Sequence, residues 1–252
     1  MWERGSYAQR FARTRRYTWP WELPWLAVCL LCLSFVLTSG AAQPVSGQSG
    51  ATLRIYLARH GETDWNVERR LQGGTDTTLN ATGRQQAAKL RDRLKGVRLD
   101  AVYSSTLSRS RETAEIVRGQ VPLKSLAGLS ERKLGKFEGR RVDASDPVTA
   151  AEYKRRGLDP DDALDGGESL NQLFERARAT IGSIRDQHAA GAILIVGHQN
   201  TNRMILRALL GLTVEQAQSI NQANDEVYLI ELDPGNPPRL WKLLSETNLN
   251  DL

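Results

Sequence analysis

The sequence predicts an α/β domain, a three-layer sandwich with a mostly parallel central sheet, and three observations carry that expectation. From Thr52 onward, short aliphatic and β-branched runs alternate with longer segments of helical periodicity, the pattern of strands joined by crossover helices. The run Ala192-Ile193-Leu194-Ile195-Val196 is apolar throughout rather than alternating, as a strand must be when both of its faces are covered. After Gly166-Gly167, residues Leu170, Leu173, Phe174, Ala177, Ile181 and Ile184 recur on one helical face, which supplies such a cover.

Taken in chain order, a strand is expected over 52–57, a helix over 81–94, a strand over 101–103 and a helix over 108–117. The long amphipathic helix spans 170 to about 188, followed by a strand at 192–196 and a helix at 201–210 that ends on Gly211 as its C-terminal cap. Strands at 227–231 and 240–244 complete the domain. The stretch 139–165 holds Asp143, Asp146, Pro147, Asp159-Pro160-Asp161-Asp162 and Asp165, and reads as an irregular insertion or lid with one short helix. No internal repeat interrupts this order.

Composition bounds the class of protein. The 252 residues are 40% hydrophobic and 25% charged, with 9 Pro, which excludes a disordered or collagen-like chain. No run of eighteen uncharged apolar residues follows Leu37, so the bulk reads as one soluble domain with a sizeable core. The net charge is +5, but residues 1–42 contribute +3 of it. The remainder lacks a basic block with interleaved aromatics, so no nucleic-acid partner is expected.

Residues 1–42 read as an address. Five arginines and the Trp19, Trp21, Trp25 stretch precede a 13-residue apolar run from Trp25 to Leu37, then Thr38-Ser39-Gly40-Ala41-Ala42. That is the order of a secretory signal peptide, with cleavage expected after Ala42 and an exported location, periplasmic or extracellular. The alternative is an uncleaved anchor, the one way in which a membrane would be a partner. The run falls short of the roughly 20 residues that span a bilayer. Cys29 and Cys32 lie inside it, so their spacing reflects apolar composition rather than redox or zinc chemistry, and the mature chain has no cysteine. Residues 43–51, rich in Gln, Ser and Gly, form a linker to the domain at 52–252.

In an open parallel sheet, binding groups collect beyond the carboxyl ends of the strands. The first expected strand runs into Arg59-His60-Gly61, the second into Ser104-Ser105-Thr106-Leu107-Ser108-Arg109, and the one at 192–196 into Gly197-His198-Gln199-Asn200. His60 and His198, 138 positions apart, therefore share one crevice. A neutral imidazole is a good nucleophile, neighbouring positive charge keeps it neutral, and arginine forks match phosphate oxygens. Such a set suits attack on phosphorus, where a covalent phosphohistidine divides one very slow reaction into two faster steps. A leaving alkoxide needs a proton, for which Glu131 is the candidate, with Glu138 and Glu62 as competitors. Arg109 can instead pair with Glu112 on a solvated face, as Arg111 can with Glu115, but its place in a first helical turn favours phosphate binding. Glu168 reads as a first-turn partner of its helix dipole, and His188 as a surface residue near a helix end.

Arg59-His60-Gly61, followed by Glu62, Thr63 and Asn66, resembles the signature of the histidine phosphatase superfamily, also called phosphoglycerate mutase-like. Five further blocks resemble that family in order: 72–83; Ser104 to Arg109 with Thr113-Ala114; Leu129, Glu131, Gly135, Glu138 and Gly139; Gly167-Glu168-Ser169; and Gly197-His198. The resemblance spans most of the chain after Arg54 and implies the phosphoglycerate mutase-like fold. It implies that His60 is the phosphorylated nucleophile, that Arg59, Arg109 and His198 bind the phosphoryl group, and that Glu131 is proton donor and then base. Asn66, Gln72 and Gly73 would line the phosphate pocket, with Asn200 contributing beyond His198. No metal or other cofactor is implied, in keeping with the lack of His/Asp spacing suited to a metal site in the mature chain. The function expected is an exported, metal-independent phosphomonoesterase acting on a small phosphate monoester. The alternatives are phosphoglycerate mutase-type transfer or a non-catalytic phosphate-ligand binder. One departure is plain: the family has a glycine after its second histidine, and Gln199 stands there here. A positive φ at that position would strain glutamine; otherwise its amide is free to reach the substrate.

Overall fold

The computed structural model describes residues 52–243, so the expectations for 1–42 and for the linker lie outside the described residues. The elements are β1 (Leu53–Arg59), α1 (Asp64–Val67), α2 (Ala81–Arg93), β2 (Ala101–Ser104), α3 (Ser108–Arg118), β3 (Leu123–Ser125), α4 (Pro147–Arg156), α5 (Leu170–Asp186), β4 (Gly191–Gly197), α6 (Gln199–Leu210), α7 (Val214–Ser219), β5 (Val227–Leu232) and β6 (Arg239–Leu243). The six strands form one sheet in the order β3-β2-β4-β1-β5-β6. The first four in that order run parallel, β5 is antiparallel to β1, and β6 is antiparallel to β5.

Side-chain alternation along the central strands builds the two outer layers. Ile55 and Leu57 of β1, with Ile193 and Ile195 of β4, join Leu170, Leu173, Ala177, Ile181 and Ile184 of α5 and Met204 and Ile205 of α6 in one cluster. Tyr56 and Ala58, with Leu194 and Val196, face the other way, onto Leu90 of α2 and Ala114 and Val117 of α3. An all-apolar β4 is the consequence of lying between these two layers.

Three short elements were not expected. β3 is a three-residue edge strand, mostly exposed, too short to show periodicity. α1 and α7 each carry a capping box, Thr63 with Asn66 and Thr213 with Gln216, a local signal that a search for long apolar stripes passes over. α6 starts two residues earlier than periodicity implied, because His198 takes the N-cap position.

The insertion at 139–165 contains α4, capped by Asp146 with Pro147 in its first turn. Arg132, itself buried, ties it down: its guanidinium donates to the carbonyls of Gly157, Asp162 and Glu168 at 2.7 to 3.0 Å. Arg156 pairs with Asp162 and Asp165 at 2.7 and 2.8 Å, so its charge is spent inside the insertion.

Candidate active site

The β1–β4 ladder sets the spacing at the centre. Arg59 lies opposite Gly197, so the next residues, His60 and His198, leave the sheet together with their rings 5.1 Å apart. α2 follows β1 on one face and α6 follows β4 on the other, which opens a crevice between the two strand ends. Gly61 admits no side chain: a Cβ there would stand 2.4 Å from the carbonyl oxygen of Gly83 at the start of α2. The close pass puts the Gly61 carbonyl 2.8 Å from His60 Nδ1. A carbonyl only accepts, so Nδ1 carries the proton and Nε2 holds the lone pair. Asn224 donates to the His60 carbonyl at 2.7 Å from the far side.

His198 is oriented by a different partner. Its Nε2 lies 2.7 Å from the Ser105 hydroxyl, whose oxygen also accepts the Leu107 N–H. With the hydroxyl donating, the ring proton sits on Nδ1, a buried atom with no hydrogen-bond partner. Both imidazoles are held well below their ordinary value of 6.5, chiefly by burial; the charges of Arg59 and Arg109 add to it at both rings.

The two arginines are gripped at one end and open at the other. Buried Arg109 donates through Nη1 to Thr75 O and through Nη2 to Gly73 O, both at 2.8 Å, and its Nε is buried without a partner. Arg59 spends Nη1 on Gln222 O at 2.9 Å and Gln199 Oε1 at 3.2 Å, and its Nε is likewise buried and unpaired. Burial holds the Arg59 guanidinium down at about 10, with Glu131 opposing and Arg203 and Arg109 adding, so it stays charged at neutral pH. Buried donors are rarely left unpaired. Three of them, Arg59 Nε, Arg109 Nε and His198 Nδ1, belong to one mutually interacting group. An oxyanion with several acceptor oxygens is the chemistry that would satisfy them.

Partner geometry separates the three candidate acids. Glu138 is spent on the loop below the site: Oε1 accepts from Gly74 N and Leu134 N at 2.8 and 2.9 Å, and Oε2 from the Thr75 hydroxyl at 2.7 Å. Glu62 accepts from Asn80 at the cap of α2. Glu131 lies against the start of α6, where its Oε1 accepts the Thr201 N–H and its Oε2 the Asn200 N–H, each at 3.2 Å, and the Arg132 N–H reaches Oε1 at 2.8 Å. All three carboxylates are therefore hydrogen-bonded, and what sets Glu131 apart is that its charge acts on both Arg59 and Arg109, whereas that of Glu138 acts on Arg109 alone of the two.

The other expected positions divide. Gly73, at φ +55°, leaves no room for a Cβ beside Glu138 and offers its carbonyl to Arg109. Gln72 is buried and accepts from the Thr77 hydroxyl at 2.6 Å. Asn66, within α1, closes the capping box with Thr63, its Oδ1 taking the Thr63 N–H and hydroxyl at 3.1 Å. Asn200 has its side-chain oxygen 3.3 Å from Arg203 Nη1 and its N–H on Glu131. Gln199 is not among the positive-φ residues, so it is unstrained. Arg109 does not pair with Glu112, which takes Arg84 at 2.6 Å, and Glu115 takes Arg118 rather than Arg111. Glu168 sits just before the α5 cap and pairs with Arg176 at 2.7 Å. His188 is half-buried rather than a plain surface residue, with its Nε2 2.8 Å from the buried Tyr103 hydroxyl. The structure adds Ser105, Gln222 and Asn224 to the site. Ser105 belongs to the Ser104–Arg109 block, whereas the 220–226 loop carries no motif.

A three-layer fold with two neutral imidazoles and two guanidiniums at its switch point is the framework of a phosphoryl-transfer enzyme. The chain belongs to the histidine phosphatase superfamily, branch 1, whose family model matches residues 55–243. It is 36% identical over 185 residues to the Escherichia coli O1:K1 protein named "Probable phosphoglycerate mutase GpmB", covering 71% of this chain and 85% of that one. Its fold is similar to Bacillus stearothermophilus YhfR, at 35% identity and a TM-score of 0.67, covering 75% of this chain and 95% of the other. The alpha-ribazole phosphatase from Shigella flexneri is similar at 28% identity and a TM-score of 0.67, with the same coverage of both chains.

The buried imidazoles carry a consequence for stability. Below the ordinary value of 6.5, the unfolded chain binds protons that the folded rings refuse. Unfolding free energy therefore rises with pH across that range and falls as pH drops through it. Denaturant melts from about pH 7.5 down to about pH 5.5 are expected to show this decline, at up to about 1.4 kcal/mol per pH unit for each histidine. A His60→Asn variant keeps one of the two buried rings and shows a shallower slope; parallel slopes would remove His60 as its cause.

Proposed function

We propose that the protein is a phosphomonoesterase that hydrolyses small phosphate monoesters through a phosphohistidine on His60, needs no metal, and is exported by residues 1–42. The observation that carries the reading is the pair of buried, unpaired Nε donors on Arg59 and Arg109 beside an imidazole whose Nε2 holds its lone pair. In the first step His60 Nε2 attacks phosphorus, and the bond to the leaving oxygen breaks. Arg59, Arg109 and His198 hold the phosphoryl oxygens, donating into charge that grows in the transition state. Glu131 gives the leaving alkoxide its proton. In the second step the Glu131 carboxylate takes a proton from water, whose oxygen attacks the phosphohistidine and releases inorganic phosphate. Asn66, Gln72, Gly73 and Asn200 are assigned to the pocket around that phosphate.

Hydrolysis is favoured over mutase transfer because the 139–165 insertion has more acidic than basic residues and pairs Arg140, Arg141 and Arg156 with its own carboxylates. Retaining a second acidic group for reorientation calls for free cations, and Lys154 and Arg155 are the insertion's remaining ones.

The test is a panel of sugar phosphates, phosphoglycerates, nucleotides and p-nitrophenyl phosphate assayed with chelator present. Release of inorganic phosphate from several of them, undiminished by chelator, is expected. Loss of turnover in chelator, or phosphoglycerate isomerisation outrunning phosphate release, overturns the reading. Glu131→Gln should slow the phosphorylation step, read as alcohol released in a single turnover, by roughly 10² to 10⁴ for alkyl phosphates and far less for p-nitrophenyl phosphate, since its leaving group needs little protonation; steady-state turnover of both falls, because the phosphohistidine they share loses its base. An equal loss on both in the single-turnover step would remove Glu131 from the acid role.

A further inference from the structure

The Arg59 guanidinium is planar, and both hydrogens of its Nη1 are spoken for: one on the Gln222 carbonyl at 2.9 Å, the other on Gln199 Oε1 at 3.2 Å. Fixing those two directions fixes the plane, and with it the aim of the remaining Nε–Nη2 edge, the edge that can meet two oxygens of one anion. The Gln222 anchor is rigid. Its side chain is buried and accepts from Asn202 at 2.8 Å, while it donates to Leu57 O and Glu226 O at 2.9 and 3.0 Å. The second anchor is held in turn: Gln199 Nε2 donates to Asn221 Oδ1 at 2.9 Å, and the Asn221 carbonyl accepts from Lys242 at 3.2 Å. Gln199 opens α6 directly after His198, so its backbone is fixed by the same helix that receives Glu131. A glycine at this position has no acceptor to offer. A carboxylate would neutralise the guanidinium, whereas an amide oxygen orients it and leaves its charge for the ligand.

Resting on the phosphoryl-transfer reading, we propose that Gln199, steadied by Asn221, is a positioning residue that locks Arg59 with its Nε–Nη2 edge toward the phosphoryl oxygens. It acts through Arg59 and touches no substrate atom itself.

Gln199→Met keeps the length and helix propensity and removes the acceptor. It is expected to weaken orthovanadate binding, read by calorimetry, and to raise KM for p-nitrophenyl phosphate, each about three- to tenfold, the range that one hydrogen bond supports. Asn221→Ala changes both in the same direction and by less. The double variant is no worse than Gln199→Met alone, because the two side chains form one chain of contacts. In an Arg59→Ala background, Gln199→Met has no further effect. Parent-like vanadate affinity in Gln199→Met overturns the proposal, and so does an equal loss in the presence and absence of Arg59. Should Gln199→Met fail to fold, Asn221→Ala with and without Arg59 carries the same comparison. A parent that binds vanadate but hydrolyses no monoester would sink the phosphatase reading and leave the Gln199 comparison standing. A parent that binds none would sink both.

Discussion

Replacing His60 with alanine is expected to abolish phosphate release and to remove acid-labile labelling of the protein by a phosphorylated substrate. The expected loss is on the order of 10⁶-fold, the scale seen when a covalent enzyme loses its nucleophile but keeps its oxyanion donors. The geometry makes the assignment narrow. His60 Nδ1 is committed to the Gly61 carbonyl, so the ring has one lone pair to offer, and burial with two guanidiniums nearby keeps it unprotonated. His198 is the other imidazole within reach, but its Nε2 is occupied by Ser105. A His60→Ala protein that still labels, with a bond stable to alkali and lost in acid, would move the nucleophile to that second ring.

Arg109→Ala is expected to cost roughly 2.7 to 4 kcal/mol of transition-state stabilisation, a fall of about 10² to 10³ in kcat. Two effects are separable here. Alanine removes the Nε donor, and it also strands the Thr75 and Gly73 carbonyls that the guanidinium bridges. Arg109→Lys keeps the charge and has three donors, but they radiate from one nitrogen and cannot reproduce the planar fork that spans two carbonyls through Nη1 and Nη2 and aims Nε elsewhere. It should therefore recover only part of the rate, while thermal melts report what either change does to the 73–75 loop. Activity within about threefold of the parent in Arg109→Ala would show that this side chain does not clamp the phosphoryl oxygens.

What could be read in the sequence follows from how local each signal is. β4 announces itself because burial on two faces leaves no polar position in 192–196, and α5 because five of its six apolar stripe residues are buried. His60 and His198 are legible because parallel strands deliver their next residues to one edge. Contacts that close over long separations left no local trace. Arg109 reaches carbonyls more than thirty residues earlier, and nothing near it in sequence distinguishes that from a surface pairing with Glu112. Glu131 and Glu138 are alike as residues and differ only in what their oxygens accept. Gln222 and Asn224 hold Arg59 and His60 from a loop more than 160 positions away, and the turn at Asn224–Asp225 marks a change of chain direction without saying what it holds.

The distance between the two histidines is written into the hydrogen-bond ladder of β1 and β4, whereas the 139–165 insertion is fastened from outside that ladder, through Arg132 and the Arg156 ion pairs. Arg132 is the joint between the two: its guanidinium holds the insertion while its N–H donates to Glu131 Oε1 at 2.8 Å. A change that shifts the insertion is therefore expected to be felt first at the carboxylate assigned to proton transfer, and only afterwards at the histidines, whose separation the ladder keeps.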